Sequence, residues 1–116
     1  MYYCGTDIIE VARIKKAIEE TEGFLEKVYS SAENKMGIQK GEKAKYQYYA
    51  GRFAAKEAVY KATSAAMGLK SIEDIEILNE DNGRPYAVIA GKKADNVDVS
   101  ISHIEKYATA IAIYAP

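Results

Sequence analysis

The chain has 116 residues, 48% apolar and 28% charged, with only eight Gly and two Pro. That composition excludes disordered, fibrous and low-complexity classes, and the length is that of one domain spanning residues 1–116. Sixteen Lys and Arg against seventeen Asp and Glu leave a formal charge of −1, without the basic excess of a general nucleic-acid binder.

The one cysteine, Cys4, permits no intrachain disulfide and fits a reducing compartment. No apolar run approaches the length of a membrane span. The start, Met1-Tyr2-Tyr3-Cys4-Gly5, has no charged region leading into an apolar run. The expectation is a cytoplasmic protein with neither nucleic acid nor membrane as a partner.

Tyr2 to Ile9 is short, apolar and β-branched toward its end, which predicts a strand. It runs into Glu10 to Glu20, where Val11, Ile14 and Ile18 recur at helical spacing. Phe24 to Tyr29 reads as a second helical piece. Ser30-Ser31-Ala32-Glu33 has the capping-box pattern and opens a further helix or turn. Gly37 to Lys45 is polar and basic, a loop or frayed helix. The strongest element runs from about Ala44 to Met67, rich in alanine, free of proline and stopped by Gly68. Along it Gly51, Ala55, Ala58, Ala62 and Ala65 alternate steps of four and three. Such a stripe of small residues lets the helix approach a neighbour closely.

Ile72 to Leu78, Tyr86 to Ile89, Val97 to Ser102 and Tyr107 to Tyr114 read as strands, with Asn82-Gly83 as a hairpin turn between the first two. Helices followed by consecutive strands predict an α+β fold, an antiparallel sheet packed on the long helix. Tyr107 to Tyr114 is apolar on both faces. Burial on both is expected, one against the helix and one against a neighbouring subunit.

Several polar residues sit where chemistry needs them. Asp7, near the end of an apolar strand, must be paired, hydrogen-bonded or metal-bound if its carboxylate is buried, or else it favours the start of the helix that follows. Glu57 stands mid-helix among Phe53, Ala54, Ala58 and Tyr60. It is either a solvated partner of Lys61, one turn on and on the same face, or a carboxylate kept for function. Arg52 and Arg84 suit bidentate phosphate contacts or are plain surface residues. His103, the only histidine, ends a predicted strand. Cys4 reads as a small buried strand residue with no chemistry.

Three segments carry most of the pattern: Gly5-Thr6-Asp7-Ile8-Ile9-Glu10 with Arg13-Ile14, Gly51-Arg52-Phe53-Ala54-Ala55-Lys56-Glu57-Ala58 with Lys61-Ala62, and Val99-Ser100-Ile101-Ser102-His103. With Phe24-x-x-Lys27-Val28-Tyr29-Ser30-x-x-Glu33 and Asn82-Gly83-Arg84-Pro85-Tyr86 they resemble, in order and over nearly the whole chain, the 4′-phosphopantetheinyl transferase superfamily. The resemblance is to its short, single-domain holo-[acyl carrier protein] synthase type.

That resemblance implies the family's α+β fold. It also implies transfer of 4′-phosphopantetheine from coenzyme A to a serine of apo acyl carrier protein, releasing adenosine 3′,5′-bisphosphate, in support of fatty acid biosynthesis. Asp7 and Glu57 become the catalytic carboxylates that hold a metal, with magnesium the hard cation suited to them. Lys61 becomes a catalytic cation near the pyrophosphate. Arg52, Gly83, Arg84, Pro85 and His103 become coenzyme contacts. The base for the serine stays open between Glu57 and a water on the ion. A homotrimer is implied, with each site between two subunits.

Basic residues on the first helix would dock the acidic carrier. Here they are Arg13 and Lys16, but Glu19, Glu20 and Glu22 follow where many relatives carry arginines. Lys40, Lys43 and Lys45 form a second basic cluster, which either compensates or is solvated. The alternative is a non-catalytic module that binds coenzyme A or a carrier protein. The joint presence of Asp7, Glu57 and Lys61 favours the enzyme.

Overall fold

The computed structural model describes all 116 residues. Strand β1 (Tyr3–Glu10) passes without a turn into helix α1 (Val11–Glu20). Short helices α2 (Phe24–Val28) and α3 (Ser31–Gly37) lead to the long helix α4 (Glu42–Met67). Then come β2 (Ile75–Asn79), β3 (Pro85–Ile89), the two-residue β4 (Lys92–Lys93), β5 (Val97–His103) and β6 (Tyr107–Tyr114). All pairings are antiparallel, in two three-stranded sheets ordered β1-β6-β5 and β2-β3-β4. The expected α+β arrangement is present, with its strands divided between two sheets.

Local differences have local causes. Ile72–Asp74 forms a 3-10 turn in place of the start of a strand, because the Ser71 hydroxyl accepts the Glu73 amide at 3.1 Å. The basic stretch Gly37 to Lys45, expected as a loop or frayed helix, is split, its first residue ending α3 and its last residues belonging to α4 from Glu42. β4 consists of two lysines and offers no alternation to read.

Helix α4 spans about 39 Å at 1.5 Å per residue, close to the 40 Å long axis of the molecule. Gly51, Ala55, Ala58 and Ala62 of the small stripe are buried, while Ala65 lies past the packed region and is exposed. β1 crosses the stripe at Gly5. A Cβ there would fall 1.9 Å from the Ala58 carbonyl oxygen and 2.9 Å from the Ala62 nitrogen, so only glycine permits the approach.

This contact fixes the parity of β1. Gly5, Asp7 and Ile9 share the helix side, and Cys4, Thr6 and Ile8 share the other. Cys4 is therefore exposed, not buried as its residue type implied. On β6 the alanines Ala108, Ala110 and Ala112 pack inward, while Tyr107, Ile111 and Ile113 are 42%, 45% and 40% exposed. The inner face is covered as expected. The isoleucine face is not covered within one chain.

The capping box of α3 forms, and its glutamate does more than cap. Glu33 is fully buried. Its Oε1 accepts the Ser30 amide at 2.8 Å and lies 2.5 Å from Lys56 Nζ, and its Oε2 accepts the Ile77 amide at 2.8 Å. Lys56, 1% exposed, also donates to the Val28 carbonyl at 2.8 Å. A buried Lys–Glu pair is rare, and removing either partner strands the other's charge in the core.

Candidate functional site

A cavity of about 700 Å³ opens between α4, the β2–β3 turn and β5. Arg52, Gly83, Arg84, Pro85 and His103 all line it. These residues come from three separate parts of the sequence, and the fold brings all five together.

Each has a local reason for its place. Arg52 lies on α4, 8% exposed, its guanidinium stacked on the Tyr48 ring at 4.7 Å. Its Nη2 donates to Asn79 Oδ1, and its Nε finds no partner within the chain. A guanidinium so held keeps donor capacity beside the cavity. Asn79 in turn donates to the Gly83 carbonyl at 2.8 Å, and Asn82 Oδ1 accepts the Arg84 amide at 3.0 Å. These bonds shape the turn, in which Gly83 has φ +90°. Arg84 pairs with Asp98 at 3.2 Å, both side chains mostly in water. Such a pair contributes little, so the arginine can turn to a ligand at small cost. His103 closes β5 and is exposed.

Lys40, Tyr48 and Asn79 also line the cavity, a placement the sequence does not show. Lys40 belonged to a recognised basic cluster, but its place could not be read through a segment whose structure was ambiguous. Its Nζ lies 5.4 Å from the Tyr48 ring centroid. The cluster does not stay together: Lys43 lines a different groove, and Lys45 lies over Tyr46.

Asp7, Glu57 and Lys61 form a second group outside that lining, where β1 crosses α4. Lys61 Nζ lies 3.3 Å from Asp7 Oδ1 and donates to the Thr6 carbonyl at 2.9 Å. Glu57 is half-buried. Burial first, and then the charge of Asp7, push its carboxyl above the usual range, while Lys61 opposes both. Two carboxylates thus share one exposed lysine, an excess of negative charge that a cation would offset. No group of three or more His, Cys, Asp or Glu side chains is placed to hold a metal ion. Two hard oxygen donors suit a magnesium ion that takes its remaining ligands from substrate and water. Arg13 and Lys16 are exposed on α1. No helix is long and apolar enough to cross a membrane.

Comparison with known proteins bears on this arrangement. A family model for the 4′-phosphopantetheinyl transferase superfamily matches residues 3–112. The chain is 44% identical over 118 residues to the holo-[acyl-carrier-protein] synthase of Fusobacterium nucleatum, covering 94% of each protein. It resembles the crystal structure of a Bacillus anthracis holo-(acyl-carrier-protein) synthase in complex with CoA (3′,5′-ADP). That match has a TM-score of 0.82 and 32% identity, over 97% of this chain and 94% of the other. The Helicobacter pylori holo-[acyl-carrier-protein] synthase in complex with coenzyme A matches with a TM-score of 0.77 and 29% identity, over 97% and 99% of the two chains. The chain belongs to the 4′-phosphopantetheinyl transferase superfamily.

Proposed function

We propose that this chain, acting as one domain, transfers 4′-phosphopantetheine from coenzyme A to a serine of apo acyl carrier protein. The observation that carries the reading is the convergence of Arg52, Gly83, Arg84, Pro85 and His103 on one cavity, with the Asp7–Glu57–Lys61 group present in the same fold. Relatives crystallised with coenzyme A support it.

In the reaction the serine hydroxyl oxygen attacks the phosphorus that bears the pantetheine arm. The bond from that phosphorus to the bridging pyrophosphate oxygen breaks, adenosine 3′,5′-bisphosphate leaves, and the serine proton passes to a base. Such transfers depend mainly on positioning and charge stabilisation. Arg52 and Arg84 hold nucleotide phosphates, with His103 beside them. The turn at Gly83 and Pro85 walls the coenzyme. Lys61 meets charge that develops on the leaving phosphate. Magnesium, held by Asp7 and Glu57, would supply Lewis-acid neutralisation of the pyrophosphate.

The acidic carrier docks through Arg13 and Lys16. The isoleucine face of β6 is the contact of a homotrimer whose sites lie between subunits. The activity serves fatty acid biosynthesis in the cytoplasm. The test is the mass of purified apo carrier protein after incubation with this chain, coenzyme A and magnesium. A gain of one phosphopantetheine group is expected. An unchanged mass with coenzyme A still bound would favour the non-catalytic module.

A further inference from the structure

We propose that Glu33 and Lys56 are positioning residues for coenzyme binding, pinning β2 to α4 so that the β2–β3 turn keeps the spacing the cavity requires. The inference rests on the transferase reading above. It adds two residues that touch no substrate in it.

The pair is fully satisfied. Glu33 accepts from the Ser30 amide, the Ile77 amide and Lys56. Lys56 donates to Glu33 and to the Val28 carbonyl, and its Nζ lies 5.1 Å from the Tyr29 ring centroid. One carboxylate thus joins the start of α3, the middle of β2 and the middle of α4. Replacing such a pair with apolar residues of similar volume is often neutral or stabilising. Stability alone does not account for it.

The geometry does. β2 meets α4 through two polar links. The inner one runs from Lys56 through Glu33 to the Ile77 amide, and the outer one from Arg52 to Asn79. Ile77 and Asn79 are two residues apart on a strand, about 6.7 Å. Arg52 and Lys56 are four apart on a helix, about 6 Å. The spacings match, so both links can hold at once and β2 lies along α4.

The outer link borders the cavity, and Asn79 also fastens the turn through the Gly83 carbonyl. Without the inner link, Arg52 would make the one remaining polar tie between α4 and β2 while also serving a phosphate. The inner link removes that conflict. It fixes the strand from the dry core and leaves the guanidinium for the ligand.

The double variant Glu33→Leu/Lys56→Met tests this, because it removes both charges and strands neither. It should fold and melt near the wild type. Its KM for coenzyme A should rise on the order of tenfold, with the carrier KM and kcat changed less than about twofold. Glu33→Asp keeps both charges but shortens the reach to the Ile77 amide. It should raise the coenzyme KM by about threefold to fivefold, and it serves where the double variant does not fold. An unchanged coenzyme KM in a folded variant overturns the proposal. So does an equal rise for both substrates, or failure of both variants to fold, which would make the pair a requirement of the fold alone. Loss of the transferase reading itself is visible separately, as a wild type that neither binds coenzyme A nor modifies the carrier, and that outcome takes the inference with it.

Discussion

Lys61 reaches from α4 across to β1, its Nζ 3.3 Å from Asp7 Oδ1 and 2.9 Å from the Thr6 carbonyl oxygen. The lysine is 51% exposed and the aspartate 18%. Water reaches the lysine end and screens the pair, so Lys61 can turn to a ligand at small cost. Glu57, one turn earlier on the same helix, feels the charge of both.

Replacement of either carboxylate should therefore remove activity and spare the fold. Asp7→Ala and Glu57→Ala should each lower kcat/KM on the order of 10²-fold or more, as loss of charge stabilisation at a reacting centre does. Melting temperatures should stay close to the wild type. Chelation of divalent metal should silence the wild type, and added magnesium should restore it. Near-normal turnover by either variant would remove that residue from the metal site.

Much of this site was legible because its residues sit in short segments whose secondary structure is strongly marked. A short apolar strand holds Asp7, a long alanine-rich helix holds Glu57 and Lys61, and Asn-Gly marks the Gly83 turn, while the roles of the three charged residues come from the family resemblance. What was not legible depends on contacts distant in sequence. The parity of β1 is set by Gly5 against Ala58, so Cys4 is exposed against its residue-type tendency. Asn79 enters the cavity through Arg52, 27 residues away. Glu33 reads only as the acid of a capping box, and the contact between Glu33 and Lys56 is not visible until α3, β2 and α4 are brought together. Likewise the split into two sheets is decided by which strands pair, and alternation alone does not say.

Docking of the carrier is open to a charge test. Arg13 and Lys16 are exposed on one helix, followed by exposed Glu19, Glu20 and Glu22. Reversing both, Arg13→Glu with Lys16→Glu, should raise the carrier KM on the order of tenfold and leave the coenzyme A KM nearly unchanged. Added salt should weaken the native interaction in the same direction. Equal effects on both substrates would locate these residues elsewhere in the mechanism.

Alkaline pH should destabilise the chain through its tyrosine core. Tyr49 is buried between Tyr29 and Tyr48, and its hydroxyl donates to Asn34 Oδ1 at 2.9 Å. Burial pushes it up from 10.0 to about 12. The unfolded chain thus loses this proton first, and between the two values it binds fewer protons than the folded chain. Stability should be intact below about pH 10 and fall as pH rises toward about 12. Urea midpoints measured across that window should drop, and Tyr49→Phe should flatten the slope. A wild-type midpoint independent of pH there would contradict the assignment.

The crossing of β1 over α4 should tolerate no side chain at Gly5. In Gly5→Ala the new methyl meets the Ala58 carbonyl, which is backbone and cannot swing aside. The strand must lift from the helix, at a cost of about 3 kcal/mol or more. Asp7, two residues along, would move away from Lys61 and Glu57, so activity should fall further than the loss of folded protein explains. A variant with wild-type stability would mean the two backbones are not in contact.

β6 presents Ile111 and Ile113 outward, and β1 adds Ile8, 67% exposed. Register places Ile111 opposite Thr6 on one side and Ser100 on the other, and Ile113 opposite Cys4. Two partly exposed isoleucines at the centre of a three-stranded sheet, flanked by Thr6, Ser100 and Asp98, make an apolar strip that association would cover. Three copies meeting on these faces would bury them around a common axis, and each site would draw residues from two subunits. Ile111→Asp puts a charge at the middle of that surface, where three carboxylates would converge unpaired. Sedimentation should then report monomers in place of trimers. Activity should fall along with assembly, although the variant replaces neither Asp7, Glu57 nor a residue that lines the cavity. A wild type that sediments as a monomer and keeps full activity at high dilution would defeat both the assembly and the shared site.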